Sequence, residues 1–99
     1  MVQVNIPAET LSDFCRRHHI LRLSLFGSAV RSDFRPDSDV DVLVEYEPGR
    51  HVGFRIFDME DELSRLLGGR RVDIVNAKFL NRHVRDQILR EAQVQYAQG

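Results

Sequence analysis

The sequence predicts an α+β fold, a small mixed β-sheet backed on one face by helices, with carboxylates on the open face. Three observations predict it. Three extended stretches, beginning at Ile20, Asp39 and Arg71, alternate with stretches of helical periodicity. The second of them has one β-branched face and one acidic face. The length of 99 residues, 42% hydrophobic and 29% charged, suits a single domain spanning 1–99 that buries about two-thirds of its surface.

The elements follow in order. Pro7 to His18 reads as a helix: proline suits the first turn, Glu9 favours the N-terminus, and Leu11, Phe14, Cys15 and His18 share a stripe. Ile20 to Phe26 alternates, with Leu21, Leu23 and Leu25 on one side and Arg22, Ser24 and Phe26 on the other, until Gly27 ends it. Gly27-Ser28 can open a short helix before Phe34-Arg35-Pro36-Asp37-Ser38 supplies turn residues. Asp39 to Tyr46 is a strand with Val40, Val42 and Val44 on its core face and Asp39, Asp41, Leu43 and Glu45 opposite. After a loop from Glu47 to Gly53, Ile56, Met59, Leu63, Leu66 and Leu67 mark a helix that Gly68-Gly69 stops. Arg71 to Val75 is a short strand. Leu80, Val84 and Ile88 mark the last helix, and the tail from Ala92 offers either an edge strand through Val94 and Tyr96 or a frayed end.

Composition excludes several classes of function. Fourteen basic and fifteen acidic residues give a net charge of -1, without the basic excess of a binder of long DNA or RNA. The N-terminus lacks a basic start followed by an apolar run, and no stretch of 18 uncharged apolar residues occurs. A cytoplasmic protein without a membrane span is therefore expected. One cysteine allows no intrachain disulfide, and the spacing of Cys15 from Leu11 and Phe14 suits a packed core thiol. His18, His19, His51 and His83 lack the i,i+4 partner of a helical zinc site. Arg35 and Arg50 stand in loops expected near the acidic face, and Tyr46 and Tyr96 read as packing residues.

The chemistry lies in the acidic face. Alternation puts Asp39 and Asp41 on one side of a strand, about 6.6 Å apart, and Asp73 opposes the apolar side chains of its own strand. If the two strands are neighbours, three carboxylates converge. Oxygen ligands on strands suit Mg²⁺, which takes one or two carboxylates together with waters and phosphates, and a pair of ions can activate an attacking oxygen and steady a leaving phosphate. Gly27-Ser28 lets backbone N–H groups approach a phosphate, and Arg31 can reach phosphate oxygens. A nucleotide triphosphate is the ligand this arrangement suggests.

In order, Phe26-Gly27-Ser28, nine residues, Ser38-Asp39-Val40-Asp41-Val42-Leu43-Val44 and then Arg71-Val72-Asp73-Ile74-Val75 resemble the nucleotidyltransferases of the DNA polymerase beta superfamily. The short chain resembles the minimal nucleotidyltransferases (MNT) of the MntA type, the antitoxin half of HEPN–MNT toxin–antitoxin pairs. The resemblance covers nearly the whole chain and implies a catalytic core of that fold. It implies that Gly27, Ser28, Arg31 and Ser38 bind the nucleotide, that Asp39 and Asp41 ligate two Mg²⁺ ions, and that Asp73 completes the metal site and helps deprotonate the acceptor hydroxyl. The family's Gly-Ser-x-Ala-Arg-Gly stretch is matched except that Val30 replaces the usual Ala and Ser32 the usual Gly. The implied activity is Mg²⁺-dependent transfer of AMP from ATP to a tyrosine hydroxyl of a cognate HEPN ribonuclease toxin, which silences it. Two alternatives stand beside it: neutralisation by binding and occlusion alone, and transfer to a small hydroxyl compound by a homodimer with a shared site.

Overall fold

A computed structural model describes residues 6–31, 35, 38–50 and 53–98. Helix α1 (Ala8–Arg17) leads to strand β1 (Ile20–Phe26), which runs into a single 3-10 turn, Gly27–Val30. Strand β2 (Val40–Tyr46), helix α2 (Arg55–Leu66) and strand β3 (Val72–Asn76) follow. A second 3-10 turn, Ala77–Phe79, precedes helix α3 (Arg82–Glu91), and the tail forms strand β4 (Gln93–Ala97). Ser32, Phe34, Pro36, Asp37 and His51 lie outside the described residues.

The sheet order is β3-β2-β1-β4, with β1 antiparallel to both β2 and β4, and β2 parallel to β3. The mixed sheet and the edge strand agree with the sequence pattern. A parallel pair needs a long crossover, which α2 supplies between β2 and β3, whereas the antiparallel pair β1 and β2 is joined without a crossover helix by residues 27–39. At the end of α2 the Gly69 N–H donates to the Ser64 carbonyl at 2.8 Å, and Gly68 and Gly69 both hold positive φ, so the helix stops where the glycines predict. The outer edge of β3 is partly covered by α2, whose Glu60 Oε2 accepts the Ile74 N–H at 2.7 Å.

One face of the sheet holds the core. Leu11, Phe14 and Cys15 of α1 and Met59 and Leu63 of α2 are buried against Leu23, Leu25, Val40, Val42, Val44 and Ile74. Each such large apolar side chain contributes about 1.5–3 kcal/mol on full burial. Strict alternation in β1 is not observed. Ile20 pairs with Tyr46 while Arg22 pairs with Glu45, so a bulge at Leu21 turns that side chain outward at 39% exposure and gives its core place to Ile20. His18 likewise ends α1 instead of continuing its stripe. Its ring packs on Phe14, with centroids 4.7 Å apart, and its Nε2 meets Glu62 Oε1 at 2.9 Å.

The carboxylate side is less open than the sequence suggests. Helix α3 joins the two outermost strands and must cross a face to do so. Its Arg85, Asp86 and Leu89 line a cavity of about 520 Å³ with Glu45, and its Glu91 reaches Gly27. The register partners Ser24 and Leu43 are each about 1% exposed on that side. Leu80, Val84 and Ile88 marked a helix there, but only the chain path between β3 and β4 decides which face it crosses. None of the α3 residues is itself buried, so the helix rests on the sheet without being embedded in it. Among the described residues, no helix is long and apolar enough to cross a membrane.

Candidate active site

Strand pairing brings the acidic residues together. Asp41 of β2 and Asp73 of β3 are direct register partners in the parallel pair, on strands about 4.8 Å apart, so two residues 32 positions apart in sequence become lateral neighbours. Asp39 precedes β2 and is exposed, whereas Asp41 and Asp73 are partly buried. Burial pushes the Asp41 carboxyl above its ordinary range, and the charges of Asp73, Asp39 and Glu91 push it further, with Arg31 opposing them. These carboxylates therefore share one electrostatic neighbourhood. Among the described residues, no three His, Cys, Asp or Glu side chains close into a ready-made metal cage. The donor set, carboxylate oxygens beside a glycine turn, fits Mg²⁺, which completes its shell with waters and substrate phosphates.

On the other side of Asp41 stands β1. Phe26 is the register partner of Asp41, and the next residue, Gly27, takes φ +65° as the chain enters the 3-10 turn. A Cβ at Gly27 would lie 2.4 Å from Asp41 Oδ2. Glycine is therefore required twice, by its backbone conformation and by the carboxylate packed against it. The Ser28 hydroxyl donates to the Asp39 carbonyl at 3.1 Å, tying the turn to the start of β2. Ser38 belongs to a separate turn: its N–H donates to the Arg35 carbonyl at 3.0 Å, and its Oγ accepts the Arg35 N–H at 2.9 Å.

One residue of this site had no signal in the sequence. Glu91, the last residue of α3, accepts the Gly27 N–H at 3.2 Å, and its two oxygens lie 3.4 and 3.5 Å from Arg31 Nη2. It is 64 residues from Gly27, and no local pattern separates it from any other helix-terminal glutamate. Arg50 departs from expectation in the opposite direction. It lines the cavity near Glu45, Tyr46 and Lys78, at the far end of β2, about 17 Å along the strand from Asp41. Tyr46 and Cys15 behave as packing residues. The Tyr46 hydroxyl points at Met59 Sδ, 3.5 Å away, and Cys15 is fully buried.

Comparison with known proteins gives the family. Residues 8–94 match the family described as the nucleotidyltransferase domain. The protein adenylyltransferase MntA of Thermococcus cleftensis is 36% identical over 75 residues, which are 76% of this chain and 74% of that protein. A solved structure assigned provisionally as a minimal nucleotidyltransferase superposes with a TM-score of 0.72 at 41% identity, covering 87% of this chain and 86% of the other. The MNT antitoxin structure type seen in complex with the tri-AMPylated HEPN toxin of Shewanella oneidensis shares the fold, with a TM-score of 0.67 at 15% identity over 92% of this chain and 70% of that one. A Gly-Ser turn packed on paired strand aspartates, in a chain matched along most of its length, leaves one conclusion: this chain belongs to the nucleotidyltransferase domain family and is a nucleotidyltransferase of the minimal, MntA-like kind.

Proposed function

We propose that the 99 residues act as one minimal domain that transfers AMP from ATP to a tyrosine hydroxyl of a HEPN ribonuclease toxin, silencing it in the cytoplasm. The observation that carries this reading is the pairing of Asp41 with Asp73 beside a glycine turn that the Asp41 carboxylate itself packs against. The name of the Thermococcus relative supports adenylyl transfer to protein, and the modified toxin in the Shewanella complex supports the acceptor class.

Each residue then has a role. Gly27 and Ser28 offer the turn's backbone to the triphosphate, Arg31 adds a guanidinium, and Ser38 holds the turn that leads into Asp39. Asp39, Asp41 and Asp73 would hold two Mg²⁺ ions, which supply neutralisation of phosphate charge and polarisation of the reacting phosphoryl group. The acceptor oxygen attacks the α-phosphorus, its proton passes toward Asp73, and the bond from the α-phosphorus to the β-phosphate oxygen breaks to release pyrophosphate. The acceptor protein completes the pocket.

The test is direct. The chain is incubated with the product of the neighbouring reading frame, Mg²⁺ and each nucleoside triphosphate in turn, and intact mass is recorded. An increment of whole AMP units with ATP, absent for Asp41→Asn, is the expected result. No increment with any nucleotide while the two proteins still bind favours neutralisation by occlusion and overturns the proposal.

A further inference from the structure

Glu91 places an anion where the reading above seats a phosphate. Its Oε1 accepts the Gly27 N–H at 3.2 Å and lies 3.5 Å from Arg31 Nη2, while Oε2 lies 3.4 Å from the same nitrogen. A backbone N–H and a guanidinium that converge on one oxygen form an anion seat. We propose that Glu91 is a built-in placeholder for a phosphate of the nucleotide: in the free protein it holds Gly27 and Arg31 in their anion-accepting arrangement, and the triphosphate displaces it on binding. The proposal rests on the reading of Gly27, Ser28 and Arg31 as the triphosphate seat and adds the residue that sets its affinity.

Two observations support displacement over joint occupancy. The seat packs against Asp41, where the charges of Asp73, Asp39 and Glu91 are all felt, so a triphosphate arriving with Glu91 still in place would add negative charge to a crowded negative site. The Glu91 side chain is also free to yield. The side chains of Arg31 and Glu91 are 58% and 39% exposed, while the backbone behind Glu91 is tied to the sheet where Gln93 of β4 pairs with Leu25 of β1. An exposed ion pair can open by side-chain rotation at low cost without moving the helix.

The experiment measures binding of ATP and of inorganic tripolyphosphate by calorimetry without divalent metal. The full chain is compared with Glu91→Gln, Glu91→Ala, Arg31→Ala and the Glu91→Gln/Arg31→Ala pair. Both Glu91 variants should bind both ligands about two- to fivefold tighter, the scale of a released exposed ion pair, and the gain should be smaller in the Arg31→Ala background, where only the Gly27 N–H is left for Glu91 to occupy. In the wild-type chain, tripolyphosphate should shift the NMR signals of the Gly27 amide and the Glu91 carboxyl carbon together, a readout that needs no variant. If Arg31→Ala weakens binding but neither Glu91 variant strengthens it, or if the Gly27 signal moves without that of Glu91, the placeholder is overturned and the seat stands. If Arg31→Ala leaves both affinities unchanged, the seat itself is misassigned and the placeholder fails with it.

Discussion

The Asp41 carboxylate packs against Gly27 on the side from which a side chain would project, 2.4 Å from where a Cβ would stand. The contact joins the end of β1 to the start of β2 and sets how closely the turn's backbone approaches the acidic cluster. It makes Gly27 and Asp41 one structural unit.

Gly27→Ala should destabilise the chain by about 2 kcal/mol or more, because alanine meets both the carboxylate and the cost of a left-handed backbone, about 1–2 kcal/mol. Pairing it with Asp41→Ala should recover the steric part and leave the backbone part. Denaturant titration of the two single variants and the pair measures the coupling. Additive losses would show that the carboxylate does not press on this position.

Asp41→Asn should lower nucleotidyl transfer by about two orders of magnitude or more while the chain stays folded. Its metal-free form should melt at or above the wild-type temperature. The Asp41 carboxyl is raised by burial and by Asp73 and Asp39, so its contribution favours the folded state below the ordinary value of 3.8 and is lost as pH rises through the raised folded value. Asparagine removes that loss. Thermal melts in chelator from pH 3.5 upward should show the variant gaining on wild type as pH rises across this window.

Glu62 predicts the opposite sign. The Arg17 guanidinium and the His18 ring, both at the end of α1, bond to this α2 carboxylate and hold it below its ordinary value of 4.5 against the effect of burial. Its stabilisation is present above 4.5 and is lost as pH falls through the lowered folded value. Glu62→Gln should cost about 0.5–1.5 kcal/mol at neutral pH, and the difference from wild type should disappear on acidification.

Cys15 should be inert in the folded chain. Burial closes off its thiol and pushes its pKa up to about 12, which leaves almost no thiolate at neutral pH. A maleimide or disulfide reagent followed by mass spectrometry should label it only in denaturant. Rapid labelling under native conditions would mean that α1 detaches from the sheet.

Much of this protein is legible locally. The alternating valines of 40–44 dictate a strand with one apolar face, Gly68-Gly69 dictates a helix end, and the order of Gly27-Ser28, Asp39, Asp41 and Asp73 carries the family resemblance. These depend on side-chain period and on backbone freedom, which are properties of neighbours in sequence. Other features belong to partners far apart in the chain. The Leu21 bulge exists because β1 must stay in register with β2 while Ile20 fills the core. Asp41 meets Asp73 because α2 returns the chain parallel to β2, and Glu91 reaches Gly27 and Arg31 because α3 crosses from one edge of the sheet to the other. Sequence by itself determined which residues carry charge and on which face of each strand. Only tertiary structure decided which charges confront one another, because strand pairing and helix crossing set distances that no local period encodes.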